Sequence, residues 1–267
     1  MTALEPLACR IEGATDGGTV VFIHGWPDDD SLWHEQVTAL AGIARCVVIT
    51  LPNFGTSTEK RGGYNFPELV ERLRVTIDNV RNDDETVTFI THDWGAYIGY
   101  MFEQAYPERV KKMVALDIGG HVQPKTAKSI GMMMGYQWTL ICCWVIGGAI
   151  PVLGNWLTRR FARALRVPRH QATRVRSRFN YPYFYWWSGF LFPWARTNLL
   201  GCYKPQCPVL FIYGGKKPLM FHSERWLQTL EETGGRTVCI QNGGHWFMQT
   251  HPEQVNALIE PWLTPGQ

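Results

Sequence analysis

The sequence predicts an α/β fold, a mostly parallel doubly wound sheet interrupted once by a helical insert. Three observations carry that expectation. Six short apolar, β-branched runs recur along the 267 residues. Helix-like stretches follow most of them. One long segment, residues 121–208, has no strand-like run. Continuous apolar runs of four or five residues suit strands buried on both faces, and alternation with helices suits a parallel sheet.

The runs are residues 19–23, 46–49, 87–90, 113–116, 209–212 and 237–240. The first ends at His24-Gly25-Trp26-Pro27 and the second at Leu51-Pro52-Asn53-Phe54-Gly55-Thr56-Ser57. Between the second and third, FPELVERLRVTIDNV has apolar residues at helical spacing. Residues 96–106 follow the third run directly, and residues 224–230 and 252–263 follow the last two as helices. In such sheets reactive groups collect just past the carboxyl ends of the strands.

The length suits one full-sized domain with an insert, divided as residues 1–120 and 205–267 for the sheet domain and 121–204 for the insert. A hydrophobic fraction of 45% suits a large core. The 12 Trp fit either a core or an apolar pocket. Seven scattered Cys show no metal-like pairing, and the first residues show no basic-then-apolar leader. Reduced thiols and an intracellular setting, cytoplasmic or organellar, are therefore expected.

The net charge of +3 hides an asymmetry. Residues 118–223 contain 14 Lys and Arg and no Asp or Glu, which leaves −11 for the rest. Residues 129–158 carry no formal charge, and residues 159–178 carry eight Arg. The uncharged run is long enough to span a bilayer. Gly131, Gly135, Gln137, Gly147, Gly148, Pro151 and Asn155 weaken that reading. A helical lid that touches an anionic membrane and a solvated Arg-rich insert both fit the composition.

Thr91-His92-Asp93-Trp94-Gly95-Ala96 lies between the third run and its helix. A strand, a sharp turn and a helix form the arrangement that presents a nucleophile at the tip of a strained bend. The plain alternative is an Asp capping the next helix. These residues are where the chain resembles the α/β-hydrolase superfamily, over nearly its whole length. His-Asp-Trp-Gly is similar to the turn of epoxide hydrolases and haloalkane dehalogenases, where most esterases and lipases carry Ser. Thr91 departs from the commoner Gly. The resemblance implies that Asp93 attacks an sp³ carbon and that water then cleaves the ester.

His24-Gly25-Trp26-Pro27 resembles the family's His-Gly-x-Pro loop. The resemblance implies an oxyanion hole from the backbone N–H groups of Trp26 and Trp94, with His24 structural. Gly243-Gly244-His245-Trp246, after the last run, resembles the loop that brings the general base, His245. The carboxylate supporting that base is expected in Gly214-Gly215-Lys216-Lys217-Pro218, where Lys217 stands instead. A second location in the family, after the preceding strand, points to Asp117, with Glu224 in reserve.

Opening an epoxide requires an acid. Tyr136-Gln137 and Asn180-Tyr181-Pro182-Tyr183 resemble the two cap tyrosine sites of epoxide hydrolases. Pro182 shifts the second by one position, so Tyr183 is favoured and Tyr181 kept in reserve. Tyr185, Trp186 and Trp187 are expected to wall a pocket. Epoxide hydrolysis of a hydrophobic substrate is the first expectation. A dehalogenase-like hydrolase is the second, and a non-catalytic subunit or binding protein at a membrane is the third. No phosphate-binding Gly loop or ligand-spaced His/Cys set is present, so no cofactor, metal or nucleic-acid partner is expected. Oligomeric state has no signature in the sequence.

Overall fold

The computed structural model describes residues 4–55, 59–81 and 85–264. Thr56 and Ser57 of the loop after the second run lie outside them. Seven strands form one sheet: β1 (Ala8–Gly13), β2 (Gly18–Ile23), β3 (Ala44–Thr50), β4 (Val87–His92), β5 (Val110–Leu116), β6 (Val209–Gly214) and β7 (Arg236–Ile240), in the order β1-β3-β2-β4-β5-β6-β7. Every pairing is parallel except β1 with β3. The six parallel strands are the six apolar runs. β1 is an addition, an edge strand exposed along most of its length.

The helices are α1 (His34–Leu40), α2 (Phe66–Val80), α3 (Trp94–Ala105), α4 (Ala127–Ala149), α5 (Pro151–Ala164), α6 (Arg169–Arg174), α7 (Tyr181–Leu191), α8 (Glu224–Glu232), α9 (Phe247–Thr250) and α10 (Pro252–Leu263). Local chemistry starts several of them. The Asn65 side chain accepts from the Glu68 amide at 2.8 Å before α2, with Pro67 in the first turn. Thr126 and Ser129 cap each other's backbone at the start of α4. Such caps satisfy amides that the helix leaves without partners.

The sheet separates two apolar layers. Val21, Ile23, Phe89 and Phe211 pack with α2 and α3 residues on one face, while Phe22, Val48, Ile90 and Ile212 pack with α1 and α10 residues on the other. Burying a side chain such as Phe89 or Ile212 stabilises by about 1.5–3 kcal/mol. Between β5 and β6 the chain leaves the sheet and forms α4, α5, α6, α7 and two short 3-10 turns, with no strand. This segment lies past the carboxyl ends of β4, β5 and β6. The seven cysteines form no disulfide.

Candidate active site

Asp93 stands between the last residue of β4 and the first of α3, with φ 53° and ψ −125°. A non-glycine residue held there is strained by roughly 1–3 kcal/mol. Close neighbours hold it: a Cβ on Gly95 would lie 2.1 Å from the Ile23 carbonyl oxygen, so only glycine fits the second place after the bend. Asp93 makes no side-chain cap on α3, which removes the capping alternative. Its Oδ1 instead accepts from the Trp26 amide at 2.6 Å. The Trp94 amide also favours the ionised form of that carboxyl. Burial raises the Asp93 pKa above the ordinary carboxylate range, while His245 and the two amides oppose the rise.

His245 reaches the bend from the loop after β7. Its Nε2 lies 3.7 Å from Asp93 Oδ2. Its Nδ1 lies 2.6 Å from Asp117 Oδ2. An ionised carboxylate only accepts, so Nδ1 carries the proton and Nε2 of the neutral ring is left bare toward Asp93. Asp117 is fully buried at the end of β5, with φ 72°. Its Oδ1 accepts from the Gly214 amide at 3.1 Å and from the Lys217 ammonium. Burial alone would raise the Asp117 pKa, but Lys217 and His245 outweigh it and hold the carboxyl well below its usual range. Lys217 thus does not replace an acid in the wrong place. It neutralises one that arrives from the neighbouring strand. Glu224 is remote from this set, exposed at the start of α8 and paired with Lys125.

Sequence reasoning missed the support beneath His245. The buried His92 donates from Nε2 to the His245 carbonyl oxygen at 3.0 Å, and the two rings are 4.4 Å apart. Its Nδ1 faces Asp28 Oδ2 at 3.9 Å, and Trp246 Nε1 donates to that same oxygen at 3.1 Å. Burial pushes Asp28 upward and His92 downward, so each is driven toward its neutral form. His92 ends β4 within the Thr91–Ala96 stretch that the sequence singled out, and Asp28 directly follows His24-Gly25-Trp26-Pro27. No local signal separates their role from scaffolding. His24 is structural: its Nδ1 donates to the Gly25 carbonyl and its Nε2 accepts from the Leu51 amide, both at 3.0 Å.

A cavity of about 510 Å³ opens above Asp93, between the sheet ends and the helical insert. Tyr136 of α4 and Tyr183 of α7 both line it, with rings 6.0 Å apart. The Tyr183 ring sits 5.0 Å from Trp94 and 6.0 Å from Trp26. Burial raises both tyrosine pKa values, and the nearby Asp93 charge adds to it. Gln137 Nε2 donates to the Tyr136 hydroxyl at 3.1 Å, and Trp187 Nε1 donates to Gln137 Oε1 at 2.9 Å. Trp26 Nε1 donates to Asn180 Oδ1 at 2.8 Å, which ties the β2 loop to the insert.

Tyr181 requires a correction. It packs against Phe54 and Tyr64, outside the cavity. α7 begins at Tyr181, so two positions along the helix turn Tyr183 to a different face. Tyr185 also turns away and donates to the Gly62 carbonyl, whereas Trp186 lines the cavity. Trp187 does not line it and meets it through Gln137, Trp186 and Phe190.

Comparison with known proteins places the fold in a family. Residues 20–258 match a family described as the alpha/beta hydrolase family. Epoxide hydrolase 1 of Caenorhabditis elegans is 31% identical over 108 residues, covering 40% of this chain and 26% of that protein. A cis-3-alkyl-4-alkyloxetan-2-one decarboxylase of Xanthomonas campestris is 26% identical over 190 residues, covering 66% and 59%. The matched stretches therefore span under two thirds of these relatives' length. The crystal structure of an epoxide hydrolase from Vigna radiata superposes with a TM-score of 0.69 at 19% identity, covering 96% of this chain and 93% of that one. At that identity the likeness is one of fold.

Proposed function

The chain belongs to the α/β-hydrolase family, and from that premise we propose a hydrolase that works through a covalent ester on Asp93, with hydrophobic epoxides as its substrates. One observation carries the reading. A strained carboxylate and two phenols line one cavity, and an imidazole stands behind the carboxylate with its bare nitrogen 3.7 Å away. The nematode relative's name, epoxide hydrolase, supports the same substrate class.

Asp93 Oδ2, the oxygen not held by the Trp26 amide, attacks an epoxide carbon. The ring C–O bond breaks, and the alkoxide takes a proton from Tyr136 or Tyr183. Their raised pKa values keep both protonated until then. His245 Nε2 next takes a proton from water, and the hydroxide adds to Asp93 Cγ. The negative charge falls on Oδ1, where the amides of Trp26 and Trp94 hold it. One such donor is worth about 10²–10³ in rate. Collapse breaks the Cγ–Oδ2 bond, the proton of the added hydroxyl passes to the departing alkoxide to complete the diol and leave Asp93 a carboxylate, and the proton on His245 returns to the phenolate. Asp117 fixes the tautomer and supports the imidazolium. Helices α4 to α7 act as a cap that supplies the phenols and excludes water.

Halide release is less well supported. It needs several N–H donors around a soft anion. Trp94 Nε1 faces the Tyr183 side chain and has no other partner among the described residues, and the Trp26 indole is engaged by Asn180. A non-catalytic role loses one of its two motives, because Lys217 complements Asp117 instead of displacing the acid; the acid-free insert is the other.

The test is intact-mass measurement of His245→Gln protein incubated with aryl, fatty-acyl and short-chain epoxides. Without the base the ester should accumulate, adding one epoxide mass that peptide mapping locates on Asp93 and that Asp93→Asn abolishes. Absence of any adduct across that series overturns the proposal.

A further inference from the structure

The hairpin of α4 and α5 carries an apolar face that the described residues leave largely uncovered. On α4, Met134, Trp138, Val145 and Ala149 recur at helical spacing and are all exposed. The opposite side, with Gln137, Leu140 and Cys143, is buried. The helix is long and apolar enough to cross a bilayer, yet only 22% of its most apolar window is buried within the protein. Across the turn, Val152 is 81% and Trp156 55% exposed. Patches this apolar mark an interaction site.

The charges beside the patch identify what it meets. Arg160 and Arg163 continue the Val152–Trp156 face along α5, and the Arg160 guanidinium lies 5.6 Å from the Trp156 ring. Among the described residues, Arg160, Arg163, Arg166 and Arg169 have no carboxylate partner. No acid occurs anywhere in residues 118–223. A second copy of this face would be repelled, whereas lipid phosphates and anionic headgroups complement it. An apolar tip with a Trp and a cationic collar behind it is the pattern of a helix that lies in the membrane interface.

We propose that the α4–α5 hairpin docks the protein on an anionic lipid bilayer, with Val145, Val152 and Trp156 in the headgroup–acyl boundary and the α5 arginines on lipid phosphates. The face also leads to the cavity. Trp138 packs against Trp187 at 5.3 Å, Trp187 meets Phe190 at 6.0 Å, and Phe190 lines the cavity. A substrate dissolved in the bilayer would meet apolar surface all the way in. The docking surface goes beyond the proposed chemistry and stands or falls apart from it.

Flotation with phosphatidylcholine vesicles, with and without about 30% phosphatidylserine, tests the idea without using activity. The protein should float with the anionic vesicles and much less with the neutral ones, and raised salt should reduce the difference. The double variant Arg160→Glu/Arg163→Glu should weaken binding by about 25-fold or more. Val152→Glu/Trp156→Glu should remove it, with thermal melting unchanged in both because all four side chains lie at the surface. Equal recovery with both vesicle types, no recovery with either, or unaltered binding by both variants would overturn the proposal. So would a concentration-dependent dimer that Trp156→Glu alone dissolves.

Discussion

Lys217 and Asp117, 100 residues apart in the chain, form an ion pair in which the carboxylate is fully buried and the lysine side chain is 4% exposed. The pair leaves Asp117 Oδ2 free for His245 and turns an apparently misplaced lysine into part of the site. It also makes the site sensitive to loss of either partner.

Lys217→Met should destabilise the protein by about 3–5 kcal/mol, because a buried carboxylate is left without its cation. The pH dependence has a definite sign. The folded-state pKa of Asp117 is depressed, so its contribution is present above the unfolded value of 3.8 and is lost as pH falls through the folded value. In Lys217→Met that depression is relieved, and the acid-unfolding midpoint should move to higher pH. Urea melts across the acid range measure both effects. An unchanged midpoint would mean the ion pair contributes nothing.

The two cavity tyrosines should behave as a pair. Tyr136→Phe and Tyr183→Phe each remove one phenolic acid, and a positioned acid contributes roughly 10²–10⁴. Each single variant should lower kcat/KM for an epoxide by about tenfold or more, since the other phenol remains, and the double variant should approach the full loss. Tyr181→Phe should keep wild-type turnover, because its ring packs outside the cavity. Initial rates with one aryl epoxide distinguish the three. A Tyr181→Phe loss equal to that of Tyr183→Phe would reverse the assignment.

Attack requires Asp93 as the carboxylate, and its pKa is raised by burial. Single-turnover alkylation should therefore lose rate in acid, with its limb above the ordinary aspartate value of 3.8. Measured adduct formation by His245→Gln protein isolates this step from the later one. A limb at or below that value would show a carboxyl better solvated than the geometry indicates.

Much of this was legible in the chain, and the exceptions have physical causes. Five of the parallel strands stand out because burial on both faces leaves a continuous apolar run, such as VVFI in β2, whereas β7 keeps a short apolar run although it is a half-exposed edge strand. β1 has one paired edge and exposed faces, so it carries no such run. Asp93 and His245 were readable because each lies between a strand and a helix. Asp117 depended on family resemblance. The role of Lys217 was invisible, since nothing local links it to a residue on the adjacent strand. The sequence favours Tyr183 but keeps Tyr181 in reserve, because settling between them needs the phase of α7, and Pro182 marks its first turn without fixing which face looks inward.

The last prediction concerns space rather than charge. Gly25 lies against the reactive bend: a Cβ placed there would sit 2.4 Å from both Asp93 Oδ1 and the Trp94 nitrogen. Real Cβ atoms do not approach that closely, so Gly25→Ala must push the carboxylate off the Trp26 amide or shift the bend itself. Displacements of about 1 Å at a reacting group cost on the order of 10²-fold in rate. Losing the Trp26 donor adds about another 10²–10³ to the hydrolytic step. Overpacking elsewhere typically costs about 1–3 kcal/mol of stability, so the variant should fold yet be nearly inactive. Circular dichroism melts beside single-turnover kinetics separate the two. Wild-type rates in folded Gly25→Ala protein would mean that the amide of Trp26 and the carboxyl of Asp93 do not need their close approach.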